Sequence, residues 1–210
     1  MKKVCDKVRE AINGLPDFDY PWELLDYLNA SDLETNLQPR CVEGLDGAEV
    51  FTGEDVDIQP YVLFTGKVFL CDGVTIGPFS FIRGPVVIGK NSLVGPHSEV
   101  IRSVMLENSM LYHKSIFADC VVGNNVQAAG GATVCNCSPG RDDECANPVV
   151  KSWYKGEMIE HKGKYGAYIG DGTRMGAYTI VMPGAYIEDD SRIIGQCSVY
   201  GNNKVRSFVK

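Results

Sequence analysis

Ile76-Gly-Pro-Phe-Ser-Phe-Ile82-Arg-Gly-Pro-Val-Val-Ile88-Gly-Lys-Asn-Ser-Leu-Val94 carries an aliphatic residue at every sixth position, and the spacing extends both ways. Ile58, Phe64 and Leu70 precede it, and Val100 and Leu106 follow. A second track of mostly small or β-branched residues lies four places on in each unit: Val62, Val68, Val74, Ser80, Val86, Ser92, Ser98, Val104, Met110, Ile116, Val122, Ala128 and Val134. After a break the ladder returns in a new register at Ile169, Met175, Val181, Ile187, Ile193 and Val199. A helix would space apolar residues three and four apart, and an alternating strand two apart. Six-residue units instead suit a short strand plus a corner, with three units closing one coil of a prism. Such a unit buries its apolar residue only by stacking on neighbouring coils, which defines a solenoid.

Units such as Ile76-Gly-Pro-Phe-Ser-Phe and Ile88-Gly-Lys-Asn-Ser-Leu resemble the hexapeptide repeat of the left-handed parallel β-helix. The resemblance implies an all-β solenoid over residues 56–210, and the left-handed coil is taken from it. Residues 1–55 read as a helical and irregular N-terminal segment. Val4, Val8, Ala11 and Ile12, then Trp22, Leu24, Leu25 and Leu28, have helical spacing, and Pro21 suits a helix start. An insertion interrupts the coils at about 136–165, where Arg141-Asp-Asp-Glu-Cys-Ala-Asn-Pro reads as a loop and 149–159 as a short hairpin. Loops that interrupt a solenoid usually build its binding surface.

With 44% apolar residues in 210, one adequate core is expected. A net charge of −7 argues against nucleic acid as a partner. No signal peptide and no apolar run of membrane-spanning length is evident, so no membrane partner is expected. The eight cysteines lack a disulfide-framework spacing, which points to a reducing, cytoplasmic setting. Cys135, Cys137 and Cys145 cluster in sequence without an evident fourth ligand, and no metal is expected.

Because the two tracks fill the prism, chemistry belongs outside. Strand alternation turns Arg83, after Ile82, and His113, after Tyr112, outward. A coil of eighteen residues would align Arg83, Ile101 and Asp119 in one row, and Gly95, His113 and Gly131 in another. Ile101 would then be an apolar residue on an outward row, expected to be covered by a ligand or another subunit.

Several stretches carry a closer resemblance: Phe81-Ile-Arg-Gly-Pro-Val-Val-Ile-Gly, Glu99-Val-Ile-Arg-Ser-Val-Met, His113-Lys-Ser-Ile-Phe-Ala-Asp-Cys-Val-Val-Gly and Ala128-Ala-Gly-Gly-Ala-Thr-Val-Cys-Asn. Tyr168-Ile-Gly-Asp and Val181-Met-Pro-Gly add to it. Together they resemble the acetyltransferase domain of the bifunctional glucosamine-1-phosphate acetyltransferase/uridylyltransferases, in particular the archaeal-type sugar-1-phosphate nucleotidyltransferases. The resemblance implies acetyl-CoA as co-substrate, an amino-sugar phosphate as acceptor and a homotrimer. It implies His113 as general base, suited to the step because an imidazole is basic yet neutral near pH 7. It implies Glu99 as the carboxylate that orients His113. Arg83, Asn136, Gln127 and Lys151 fall on sugar-phosphate ligand positions. Ala177 and Gly195 match positions lining the coenzyme A groove. Gly130 offers an unobstructed backbone N–H for the thioester oxyanion, and Lys204 and Arg206 offer charge for its phosphates.

The departures are specific. A lysine one coil above Arg83 is replaced by Ile101, a tyrosine three residues after the histidine by Ile116, and a sugar-facing asparagine by Gln127. These leave open a different amine acceptor or a non-catalytic homologue that scaffolds a separate sugar nucleotidyltransferase. A γ-carbonic-anhydrase-like metal site is a third reading, but His97, His113 and His161 lack the closely spaced histidine pair it calls for.

Overall fold

The computed structural model describes residues 1–30, 32–42, 47–137, 149–154 and 156–203. It is a parallel β-solenoid of hexapeptide repeats, of the left-handed β-helix class, with three sheets as the faces of a prism. The first face holds nine strands and runs from Gln38–Arg40 and Glu49–Thr52 to Asn202–Asn203. The second runs from Asp57–Ile58 to Arg192–Ile193, and the third from Leu63–Thr65 to Ser198–Val199, with seven strands each. Parallel pairing already begins at Glu49–Thr52, with Gln38–Arg40 added antiparallel at the edge.

The interior is a single column of side chains that includes Phe64, Ile76, Ile82, Ile88, Leu111, Phe117, Ile169 and Val181. It departs from a strict six-residue count in one respect. Up to Arg83 each coil takes eighteen residues, so that Phe81 pairs with Glu99 and Val68 with Val86. In the next coils Glu99 pairs with Ile116 and Val87 with Val104, a coil of seventeen, and after the insertion the spacing is eighteen again, as in Arg174 with Arg192. The corner from the third face to the first is one residue shorter in the seventeen-residue coils, which makes Val100 to Met105 and Phe117 to Val122 units of five. Met105, Leu111 and Phe117 therefore occupy the interior. Leu106 turns out into a separate cluster, Met110 is half-buried, and Ile116 is 38% exposed. Ser103, Ser109, Ser115 and Cys120 fill the second track in place of Val104, Met110, Ile116 and Val122.

The expected N-terminal helices are α1, Lys2–Val8, and α2, Pro21–Ala30. Proline fixes the first turn of α2, and the Glu23 carboxylate accepts from the amides of Asp19 and Tyr20 ahead of it. Val4, Val8, Ile12, Leu24 and Leu28 pack against Phe69, Val87, Val104 and Val121 on the outside of the first face. Two buried layers thus sandwich that sheet, and its strands read as continuous apolar pairs.

The expected hairpin is present as Val149–Tyr154 paired antiparallel with Glu157–Lys162. It also lies on the first face: Val150 joins the helix-side cluster, and Tyr154 meets Tyr186 at 4.9 Å. His161 is buried there, its Nε2 hydrogen-bonded to Ser152 Oγ at 2.9 Å and its ring 4.4 Å from that of Trp22. Burial drops its pKa from 6.5 to about 4. A base harder to protonate when folded stabilises the fold fully above its unfolded pKa and loses that contribution as pH falls. Denaturant midpoints are therefore expected to decline between about pH 6.5 and 4, by up to about 3 kcal/mol in unfolding free energy. A His161→Phe variant should flatten the curve in that window.

Candidate functional site

Two outward columns cross the third face. One contains Leu63, Phe81, Glu99, Ile116 and Thr133, and the other Thr65, Arg83, Ile101 and Ala118. Arg83 and Glu99 therefore share a face on neighbouring strands, offset by two residues. Arg83 is half-buried, and its Nε is buried without an acceptor among the described residues. An unsatisfied N–H on a charged group is costly unless something supplies an acceptor.

The seventeen-residue coil changes the surroundings of Arg83. Ile101 is only 9% exposed, so its cover comes from this chain itself and not from the ligand or second subunit expected. Asp119 does not share that row; Ala118 does, and Asp119 turns into the corner as a buried carboxylate. It accepts from Arg102 Nε at 2.7 Å and Nη2 at 2.5 Å, and from the Asn136 amide. The nitrogen of Asn136 is thereby committed to Asp119, not directed to the Arg83 face. Arg102, beside the position of the missing lysine, is neutralised in the same way.

His113 stands exposed at the corner between the second and third faces. Its neighbours one coil away are Pro96 and Gly130, not Gly95 and Gly131. The imidazole lies on the bare backbone of Gly130: a Cβ there would come within 2.8 Å of His113 Cδ2 and 3.0 Å of Nε2. Gly131, at φ +74°, donates its N–H to the His113 carbonyl and carries the ring of Tyr178 over its own Cα. The Gly130 carbonyl accepts from the Tyr178 amide, whereas the Gly130 N–H has no acceptor among the described residues. A basic imidazole and an open amide donor are thus brought to one point. Neither His113 nor Glu99 makes a side-chain hydrogen bond or ion pair among the described residues, so the carboxylate does not orient the imidazole in this arrangement.

Gln127 is half-buried on the second face and lines a groove of about 610 Å³ with Tyr112, Ala129, Arg174, Met175 and Arg192. Gly176 and Ile194 complete its upper wall. Ala177 and Gly195 adjoin it, stacked so closely that a Cβ on Gly195 would reach the Ala177 carbonyl. Lys151 lies apart: it sits on the hairpin at the first face, paired with Glu160 at 2.9 Å. Lys204, Arg206 and Cys145 lie outside the described residues.

Residues 67–102 match the profile of the bacterial transferase hexapeptide, six repeats. The register of three parallel faces carries that repeat well beyond the matched stretch. This chain is a hexapeptide-repeat β-helix protein. It is 31% identical over 112 residues to the bifunctional protein GlmU of Methanococcus maripaludis strain C7, a match over 53% of this chain and 26% of that relative. GlmU of Methanococcus vannielii is 30% identical over the same length and shares. This hexapeptide-repeat chain therefore spans about a quarter of the curated relatives it matches.

Tyr112, Arg174, Arg192 and Tyr178 flank the repeat protein's corner and groove, yet sequence reasoning did not single them out. The signal was available for two of them. Arg174 and Arg192 each directly precede an interior residue, Met175 and Ile193, which turns both outward on one column.

Proposed function

We propose that this chain transfers an acetyl group from acetyl-CoA to the amine of an amino-sugar phosphate resembling glucosamine 1-phosphate. The transferase repeat and the GlmU relatives support an acyltransferase-type function. The observation that carries the reading is the His113 imidazole seated on Gly130, beside an amide with no acceptor among the described residues. In the proposed step, neutral His113 accepts a proton from the attacking amine as the new N–C bond forms. The oxyanion of the tetrahedral intermediate accepts from the Gly130 N–H. The C–S bond then breaks, and the thiolate takes the proton from the imidazolium to leave as free coenzyme A.

Arg83 receives the acceptor's phosphate, for which a planar guanidinium is well shaped. Gln127 faces the sugar from the second face, Asn136 would reach it only on release from Asp119, and Ala177 and Gly195 border the donor groove. Ile101 and Ile116 suit an acceptor that differs from glucosamine 1-phosphate where the family's lysine and tyrosine would bind. Leu63, Ile116 and Ile180 are exposed on the third face and suit packing in a homotrimer. A cytoplasmic setting fits these substrates, and no helix among the described residues is long and apolar enough to cross a membrane.

Thiol release from acetyl-CoA with a panel of amino-sugar phosphates tests this reading. His113→Ala is expected to lower kcat by about 100- to 10,000-fold, and Arg83→Met to raise KM for phosphorylated acceptors alone. Activity that survives the histidine substitution would remove the general-base role. A second reading, a non-catalytic partner of a separate sugar nucleotidyltransferase, is favoured by the unengaged Glu99. Lack of any thermal stabilisation by coenzyme A would favour it over acetyl transfer.

A further inference from the structure

Four buried serines in the seventeen-residue coils share one bonding pattern. Ser92, Ser98, Ser103 and Ser109 each donate from Oγ to the carbonyl fourteen residues on: Leu106, Tyr112, Phe117 and Gly123. Each also accepts the amide seventeen residues on, from Ser109, Ser115, Cys120 and Val126. That carbonyl and that amide are the two ends of one corner in the coil above. The serine oxygen is therefore inserted where a tight turn would otherwise close on itself. Ser109, for example, bridges Gly123 and Val126 at 2.7 and 3.0 Å.

The pattern calls for Ser115 to bridge Ala129 and Ala132, and it does not. Ser115 has no exposed surface, and its Oγ is buried without a partner among the described residues. The corner above it has closed directly, with the Ala132 N–H donating to the Ala129 carbonyl at 3.2 Å. Direct closure recurs above the insertion, where Thr173, Thr179 and Ala185 donate to the carbonyls of Gly170, Gly176 and Met182. The residues beneath those three corners are Val126, Ala132 and Ala167, which have no hydroxyl to insert. Of these four closed corners, only the Ala129–Ala132 corner has a hydroxyl beneath it.

That corner is also the one at the proposed site. Its central residues are Gly130, whose bare backbone seats the His113 imidazole, and Gly131. Gly131 stands at φ +74°, whereas Asn108, Lys114, Asp119 and Asn125, in the same place in the four bridged corners, stand at +54°, +57°, +49° and +55°. Two adjacent glycines let the peptide between them turn at little steric cost. The Tyr178 amide on the Gly130 carbonyl and the Tyr178 ring over Gly131 hold the present closure. Against them stands a buried hydroxyl with nothing to bond, which is costly.

We propose that Ser115 is a positioning residue for the Gly130 amide. Its hydroxyl inserts into the Ala129–Ala132 turn as its four counterparts do in theirs, accepting from the Ala132 N–H and donating to the Ala129 carbonyl. One bond gives way to two in series, the corner widens, and the Gly130–Gly131 unit swings relative to His113. Insertion ties the corner to the coil beneath, and an oxyanion is stabilised by donors held in fixed positions. The inserted form is thus the one that aims the Gly130 N–H, a use that rests on the acetyl-transfer reading above.

The test compares Ser115→Ala, Ser115→Thr and Ser109→Ala with wild type as full chains. Ser109→Ala removes two satisfied bonds, so its melting temperature should fall by about 2–4 °C at unchanged kcat. Ser115→Ala should melt at or above wild type, because the orphan hydroxyl is gone, yet lower kcat about tenfold with KM for acetyl-CoA unchanged. Ser115→Thr should restore kcat, since threonine already fills this track at Thr173 and Thr179. Relaxation dispersion on the unliganded protein should show microsecond-to-millisecond exchange at the amides of Gly130, Gly131 and Ala132 that Ser115→Ala abolishes. Wild-type kcat in Ser115→Ala, or a drop in its melting temperature matching that of Ser109→Ala, would overturn the proposal and leave acetyl transfer standing. If wild type acetylates no acceptor, the acetyl-transfer reading falls and the exchange alone decides. Exchange that depends on the Ser115 hydroxyl would then support insertion, and silent amides would overturn it.

Discussion

Replacing Gly130 with alanine is expected to lower kcat for acyl transfer by about a hundredfold while leaving the melting temperature near that of wild type. The new Cβ would sit 2.8 Å from His113 Cδ2 and 3.0 Å from Nε2, closer than carbon atoms approach, so the imidazole must swing away. The atoms it meets belong to the end of an exposed side chain, and Gly130 is not among the residues at positive φ, so the fold can yield cheaply. The chemistry cannot, because displacing a general base by about 1 Å is enough to cost two orders of magnitude. The amide that would receive the oxyanion is crowded by the same methyl group. Steady-state kinetics and a thermal melt on one preparation separate the two effects. A variant with wild-type kcat would show that the imidazole is not needed where the structure puts it.

Phe117→Ala is expected to reduce the unfolding free energy by about 3–5 kcal/mol, and Ile116→Ala by less than about 1. Phe117 has no exposed surface and sits in the interior column between Val100 and Val134. Its truncation empties one rung of a stack in which each coil is supported only by its two neighbours. Ile116 faces outward on the same strand, so its loss leaves no cavity. Urea midpoints of the two variants measure the difference directly. The reverse order would place Ile116 inside, as a uniform six-residue count does.

That pair also shows where the sequence stopped being legible. The period itself was plain, because aliphatic residues hold one position over many units. From Val104 to Phe117, however, apolar residues come in adjacent pairs, such as Met105 with Leu106 and Ile116 with Phe117. Either member of a pair satisfies a burial pattern, so a corner shortened by one residue leaves no trace in hydrophobicity. The serines held the missing signal. Ser103, Ser109 and Ser115 are buried on the second track, and Ser109 Oγ donates to the Gly123 carbonyl at 2.7 Å across one coil. Outward positions survived the error where alternation was local, as at Arg83 and His113. Contacts that depend on coil length did not: Asp119 was placed in the row of Arg83 and instead binds Arg102 and Asn136. The place of Lys151 on the first face was not legible for another reason, since nothing in a hairpin's own residues says on which face of a prism it will fold down.

Helices and hairpin together occupy the outside of the first face, and this decides where any neighbour can dock. Among the described residues, no helix or hairpin covers the two faces that carry Arg83, His113 and the arginine groove. Were copies of the chain to dock on those faces, docking and the proposed chemistry would share one surface, and a mutation that blunts either would be exposed to selection through both. Dilution would then act as a control: a weakened contact between copies would register first as activity that fades with falling concentration, long before any coil unwinds.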